Sequence, residues 1–245
     1  MCNGDKMGEC GGLEAQKLLQ RIRRHYRTRC KVWNIHHLDI PFVQIEDPDR
    51  VLDQVAEQED RLERLSGRRT EGDQLHLPYW AELWDSAVGI GQLLVERRGE
   101  FAGRSAMDLG CGMGLAGTVA ARIGMRVLFA DLEPPALLFA RLNSLPDAPR
   151  VRTRRLNWQR DRLGERFDLI LGADILYERK QWDFLEPFWR AHLEPGGSVL
   201  LGEPGRQTGE LFVDWITTRG WSLQQHTEPV ATRPTPIRIL ELRLR

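Results

Sequence analysis

Apolar residues recur along this chain at two spacings, one helical and one of strands. In residues 13–29, Leu18, Leu19 and Ile22 stand at helical intervals among Lys17, Arg21, Arg23, Arg24 and Arg27, which predicts a basic amphipathic helix. Residues 32–35 and 40–45 alternate apolar and polar positions around His36, His37 and Asp39, the pattern of a β-hairpin. Pro48 opens a second helix over 49–65, whose acidic first turn suits the helix dipole, and a polar loop over 66–74 follows. Beyond it, short apolar strands alternate with amphipathic helices. Strands are predicted at 106–109, 127–130, 151–156, 167–173 and 198–202, and helices at 115–123, 134–145, 180–192 and 208–219. Gly196 and Gly197 read as the stop of the third of these helices, and two strands near 221–225 and 237–244 close the chain around Pro234 and Pro236. Alternation of this kind predicts an α/β fold, a doubly wound and mostly parallel sheet, preceded by an extension over 1–76 and occupying 77–245.

One stretch is far more specific than the rest. SAMDLGCGMGLAG, residues 105–117, places Gly110, Gly112 and Gly114 between a strand and a helix, where positive φ and close backbone approach to a ligand are both available. In open α/β sheets ligands bind at the carboxyl ends of the strands, so a nucleotide-like cofactor is expected over this turn. GMGLAG also fits the dinucleotide fingerprint, but the glycine next to the strand is Gly110, and counted from there the pattern is D-x-G-x-G-x-G with Asp108 inside the strand end. An acid at that place suits a cationic ligand better than a pyrophosphate. Asp131, at the end of the next strand, stands where an acid grips ribose hydroxyls in either case.

Composition narrows the setting. The 245 residues carry 35 basic and 35 acidic side chains, so no global charge argues for nucleic acid or for an anionic membrane. Cys2, Cys10, Cys30 and Cys111 form no C-x-x-C pair, so neither a disulfide framework nor a zinc site is signalled. His36 and His37, being adjacent, cannot face one ion from one side of a strand, and no metal is expected. No apolar run approaches the ~20 residues that span a bilayer, and residues 1–12 are polar and glycine-rich, so neither an anchor nor a signal peptide is expected and the cytoplasm is the expected compartment; a monomer is the expected state.

Three further segments fall at strand ends. Asn157-Trp158 follows the third strand: an amide donates and accepts, and an indole stacks, which suits a purine, although a tryptophan buried in a loop is the plainer reading. Asp174 and Tyr177 form D-x-x-Y after the fourth strand, and GEPGR over 202–206 follows the fifth. Upstream, PYWAELWDSA over 78–87 holds Tyr79, Trp80 and Trp84, and Trp80 and Trp84, four apart, are expected to share one helix face and line one wall.

Taken together, D-x-G-x-G-x-G resembles motif I of class I S-adenosylmethionine-dependent methyltransferases, and PYWAELWDSA resembles the segment before motif I in methyltransferase family 16, the protein-lysine methyltransferase-like group. The resemblance runs from about residue 77 to the end and implies a Rossmann-like seven-stranded sheet. It implies S-adenosylmethionine as cofactor, held by Trp84, Asp108, Gly110, Gly112, Gly114, Asp131, Asn157 and Trp158. Asp174 and Tyr177 would border the amine to be methylated, on a protein lysine. GEPGR resembles the GDPGR of the electron-transfer-flavoprotein β-subunit lysine methyltransferase branch, with Glu203 in place of the aspartate. A small-molecule amine as acceptor, RNA methylation through the arginines around residues 150–160, and cofactor binding without catalysis stay open.

Overall fold

A computed structural model describes residues 5–66 and 78–245 of the chain. The loop expected over 66–74 lies, beyond Ser66, outside the described residues. Helix α1 (Asp5–Arg23) leads into strands β1 (Thr28–Ile35) and β2 (Leu38–Ile45), then α2 (Pro48–Ser66). After a short 3₁₀ turn (Tyr79–Ala81) come α3 (Asp85–Glu96), α4 (Arg98–Phe101), β3 (Ser105–Leu109), α5 (Leu115–Arg122), β4 (Arg126–Asp131) and α6 (Pro134–Asn143). The chain ends with β5 (Val151–Arg155), β6 (Phe167–Ala173), α7 (Trp182–His192), β7 (Leu193–Glu203), α8 (Gln207–Thr217), β8 (Trp221–Glu228) and β9 (Ile237–Leu244).

The main sheet has seven strands in the order β5-β4-β3-β6-β7-β9-β8. Strands β3 to β7 run parallel, and β9 is antiparallel to both β7 and β8. Since β4 leaves β3 on one side and β6 returns on the other, the strand order reverses beside β3, which is where such sheets open a crevice at their carboxyl edge. Parallel strands covered on both faces must be apolar on both. Accordingly Val127 and Phe129 of β4 join the core beneath α3, α5 and α6, while Leu128 and Ala130 join the core on the other face with Trp182, Phe188, Trp189 and Phe212 of α7 and α8.

The hairpin of β1 and β2 pairs in full register from Thr28 with Ile45 to Ile35 with Leu38. Ile35, Ile40, Phe42 and Ile45 are buried in the same core as α5 and α6, so the N-terminal region packs on the sheet's helices. Asn143, at the end of α6, ties it down: its Oδ1 accepts from the Val43 amide at 2.8 Å, and its Nδ2 donates to the carbonyls of Val43 at 3.0 Å and Met113 at 3.1 Å.

Several expected boundaries shift. The first helix ends at Arg23, not at residue 29, because the hairpin captures the following backbone, with the Glu46 amide donating to the Arg27 carbonyl at 3.1 Å. The third large helix stops at His192 without help from Gly196 and Gly197. Leu193 already has extended dihedrals, and the two glycines lie inside β7, where the pairing with β6 shifts register between Phe167 and Leu169.

Candidate functional site

At the carboxyl end of β3 the chain turns through Gly110, Gly112 and Gly114, with φ of 65°, 52° and 86°. The amides of Gly110 and Cys111 both donate to the Ala130 carbonyl of the neighbouring strand, at 2.8 and 3.1 Å, which draws the turn over β4. Gly114 precedes the first residue of α5, and a Cβ there would stand 2.7 Å from Cβ of Ala140. A glycine cannot cap a helix with a side chain, and Asp108 takes over: its Oδ2 accepts from the Gly117 amide in the first turn of α5 at 2.8 Å. Its Oδ1 is buried with no hydrogen-bond partner among the described residues. Burial pushes the Asp108 carboxyl up to about 7, against the pull of the Gly117 amide.

Asp131 ends β4 and braces the same turn from the other side. Its Oδ2 accepts from the Gly112 amide at 2.8 Å and its Oδ1 from the Glu133 amide at 2.9 Å. Burial raises this carboxyl too, with the same two amides opposing. A carboxylate has about four lone-pair sites, so both oxygens retain acceptor capacity. A side chain at Gly110 would fill the gap beside the turn, since its Cβ would lie 3.1 Å from Ile175 and 3.5 Å from Trp158. Trp158 thus leans across the glycine turn, its indole N–H donating to Gln181 at 3.1 Å. Asn157 is committed to the local backbone: its Oδ1 accepts from the Gln159 amide at 2.9 Å, and its Nδ2 has no partner among the described residues and is the group that can read a ligand edge.

Asp174 follows β6 and adopts φ 55°, a left-handed conformation that aspartate tolerates better than most residues and that concentrates at functional sites. Its amide donates to the Gly202 carbonyl at the end of β7, and its buried carboxylate accepts from Arg206 at 2.8 Å. Burial raises the Asp174 carboxyl while Arg206 opposes the rise. Tyr177 packs edge-on against Tyr79, with ring centroids 5.4 Å apart, and burial pushes its phenol up to about 12. Tyr79 in turn meets Trp84 at 6.3 Å, and the Arg206 guanidinium lies 5.5 Å from the Trp84 ring centre. Tyr79, Trp84, Asp174, Tyr177 and Arg206 together line a cavity of about 90 Å³. A larger cavity, about 220 Å³, opens at the base of the hairpin between Tyr26, Arg27 and Arg50; it is lined by Arg23, Arg24 and Arg27 of the basic segment and by none of the residues expected at the cofactor or the acceptor.

The structure therefore brings Trp84, Asp174 and Tyr177 to one cavity, and Asp108, Asp131, Trp158 and the three glycines to the adjoining turn. Trp80 and Trp84 do not share a wall. The residues between them form a 3₁₀ turn and an extended link, so Trp80 is buried against Tyr26 and Phe139 while Trp84 immediately precedes α3 with its indole on the Tyr79 carbonyl at 3.1 Å. The sequence names Tyr79 among its aromatics without placing it in the site, and it singles out none of Arg206, Gln181 and Asn143. For Arg206 the signal is its place inside GEPGR, whereas nothing in the sequence marks Gln181 or Asn143. Glu203 shapes the turn that carries Arg206, accepting from the amides of Gly205 and Arg206 at 3.0 Å each and from Arg238 at 2.6 Å. One grouping of possible metal ligands occurs among the described residues: His36, Glu96 and Glu228, with ligand atoms within 4.8 Å of one another, at the β8 edge of the sheet.

Comparison with known proteins places this geometry. A family model described as lysine methyltransferase matches residues 78–216. The electron transfer flavoprotein beta subunit lysine methyltransferase of Danio rerio is 32% identical over 136 residues, covering 53% of this chain and 51% of that protein. The protein N-lysine methyltransferase METTL21A of Danio rerio is 33% identical over 141 residues, covering 54% of this chain and 64% of that protein. The chain thus spans between half and two thirds of these relatives' lengths. Among solved structures, the glycopeptide N-methyltransferase MtfA complexed with sinefungin superposes with a TM-score of 0.55 at 14% identity, covering 66% of this chain and 95% of that one. A TehB-like methyltransferase from Corynebacterium glutamicum does so with 0.51 at 19%, covering 78% and 99%. These likenesses show the class I methyltransferase sheet. The family model spans more than half of the chain, and the chain belongs to the lysine methyltransferase family.

Proposed function

We propose that this protein is an S-adenosylmethionine-dependent protein-lysine N-methyltransferase. The observation that carries the reading is that the braced glycine turn and the aromatic cavity around Asp174 lie side by side along one sheet edge, as a methyl donor and its acceptor require. The residues of the turn fit an adenosyl cofactor. The opening beside Gly110 exists because no Cβ fills it, Asp131 keeps lone pairs for ribose hydroxyls, and the orphaned Oδ1 of Asp108 is an acceptor in want of a donor. On this reading Gly110, Gly112, Gly114, Asn157 and Trp158 complete the cofactor site, while Trp84, which lines the cavity with Asp174, serves the acceptor side. What the cofactor supplies when bound is an already activated methyl group, so the chain's own task is to position a neutral amine. Asp174 orients the amine and takes part in removing its proton, and Tyr177, with its high phenol, stays neutral and helps exclude water.

Tyr79 and Tyr177 are 42% and 37% exposed, so the cavity opens directly to solvent, which suits a side chain presented on a protein surface better than an enclosed small molecule. We further assign residues 1–76 as an extension to a methyltransferase domain over 77–245. A monomer is supported by the exposed arginines along the edge strand β5, Arg152, Arg154 and Arg155, which deter edge-to-edge pairing. We place the chain in the cytoplasm; no described helix is long and apolar enough to cross a membrane. The test is calorimetric titration with S-adenosylmethionine and its demethylated product, followed by incubation of a lysate with methyl-labelled cofactor. Binding should occur and weaken by about 1–3 kcal/mol in Asp131→Ala through loss of charge-assisted hydrogen bonds. A chain that binds neither compound, or that labels only free amines or RNA, refutes the proposal.

A further inference from the structure

The acid of the acceptor cavity already holds a cation. The Asp174 side chain is 5% exposed, and its partner Arg206 is 44% exposed, so the carboxylate sits on the cavity floor with the guanidinium in its mouth. The guanidinium also lies 5.5 Å from the Trp84 ring centre, within reach of a cation–π contact. An incoming lysine ammonium has the same two needs, a charge-assisted hydrogen bond to a carboxylate and aromatic faces around it. Arg206 itself lines the cavity of about 90 Å³ and holds the Asp174 carboxylate at 2.8 Å, so an acceptor that reaches that carboxylate meets the guanidinium on it.

We propose that Arg206 is a built-in stand-in for the acceptor and thereby sets acceptor specificity: the guanidinium occupies the cation seat between Asp174 and Trp84 until an acceptor lysine displaces it. This rests on the methyltransferase reading of the cavity. The local architecture permits the exchange. Glu203 holds the turn through the Gly205 and Arg206 amides and through Arg238, and its carboxylate packs where a Cβ at Gly209 would stand, so the backbone is fixed while the Arg206 side chain is not. Because nearly half of the Arg206 side chain already faces water, it can leave outward without opening the fold. Breaking the Asp174 pair without replacement would strand a buried carboxylate, so only a group that is itself cationic, and slim enough to reach the floor, can take the seat.

The experiment uses n-butylammonium as a probe of the seat, titrated calorimetrically into the full chain and into Arg206→Met, Arg206→Lys and Asp174→Asn/Arg206→Met. Arg206→Met should bind the probe about tenfold or more tightly than the parent, because no internal cation then competes for the buried acid. Arg206→Lys should behave like the parent, and the double variant should lose the gain. In methyl-transfer assays Arg206→Met should lower KM for the protein acceptor. Equal probe affinity in the parent and in Arg206→Met, with both variants folded by thermal unfolding, overturns the proposal. So does a fall in kcat at unchanged KM, which would make Arg206 a positioning residue for Asp174. Failure of the methyltransferase reading looks different: no methyl transfer by any variant, with the probe affinities still ordered as stated.

Discussion

Replacing Asp108 with asparagine should make the protein's stability less dependent on pH, by an amount the structure allows one to work out. Asp108 is 1% exposed, its Oδ2 caps α5 through the Gly117 amide, and its Oδ1 is unpartnered among the described residues. Its carboxyl stands at about 7 in the fold against 3.8 for the unperturbed group, with burial the largest cause. A raised carboxyl means that the folded state holds its proton more tightly than the unfolded chain does. Its contribution is therefore complete below about pH 4, falls between pH 4 and 7, and is flat above. At 1.36 kcal/mol per pKa unit, the fall amounts to ~4 kcal/mol. Asparagine keeps the acceptor for Gly117 and carries no charge, but it places a buried N–H₂ where Oδ1 was, which costs about 1–3 kcal/mol at every pH. The quantity to follow is thus the difference between variant and parent, measured by urea unfolding at several values from pH 5 to 8. It should move in favour of asparagine by ~2–3 kcal/mol over that range, the part of the titration lying above pH 5. A difference constant to within about 1 kcal/mol would refute the reasoning, because it would mean that the carboxylate is ionised without penalty inside the fold.

Other consequences follow from the same contacts. Gly114→Ala should destabilise the chain by about 2 kcal/mol or more in thermal unfolding, because a Cβ would stand 2.7 Å from that of Ala140 at a residue with φ 86°. Asp174→Asn should lower methylation of the protein acceptor about 100-fold or more while changing cofactor affinity much less, and Tyr177→Phe tests the hydroxyl alone in the same steady-state assay. Near-normal turnover in both would move the acceptor chemistry away from this cavity. Asn143→Leu should cost about 2–4 kcal/mol in urea unfolding, since it strands the Val43 amide and the Val43 and Met113 carbonyls, and should raise hydrogen exchange at Val43 first.

The sequence alone determined what depends on local spacing. The alternation of apolar strands with amphipathic helices is written in short range, because a strand buried on both faces must be apolar throughout and a helix on one stripe only. The glycine turn was legible for the same reason: three residues within five positions need backbone conformations that a Cβ opposes, and Asp131 ends its strand while Asp174 directly follows its own. What only the tertiary structure decided are relations between distant residues. Whether Trp84 faces the cavity or the core depends on the break of helical geometry between Trp80 and Asp85, which equal spacing cannot reveal. That Asn143 fastens the hairpin to the glycine turn depends on Val43 lying 100 positions away. That Asp174 is paired with Arg206 depends on β6 and β7 ending in register, Ala173 beside Gly202, so that two loops separated along the chain meet over one sheet edge. Periodicity encodes which face of an element is apolar; which side chains from different strands share a site is set by register and packing, and these exist only once the sheet has formed.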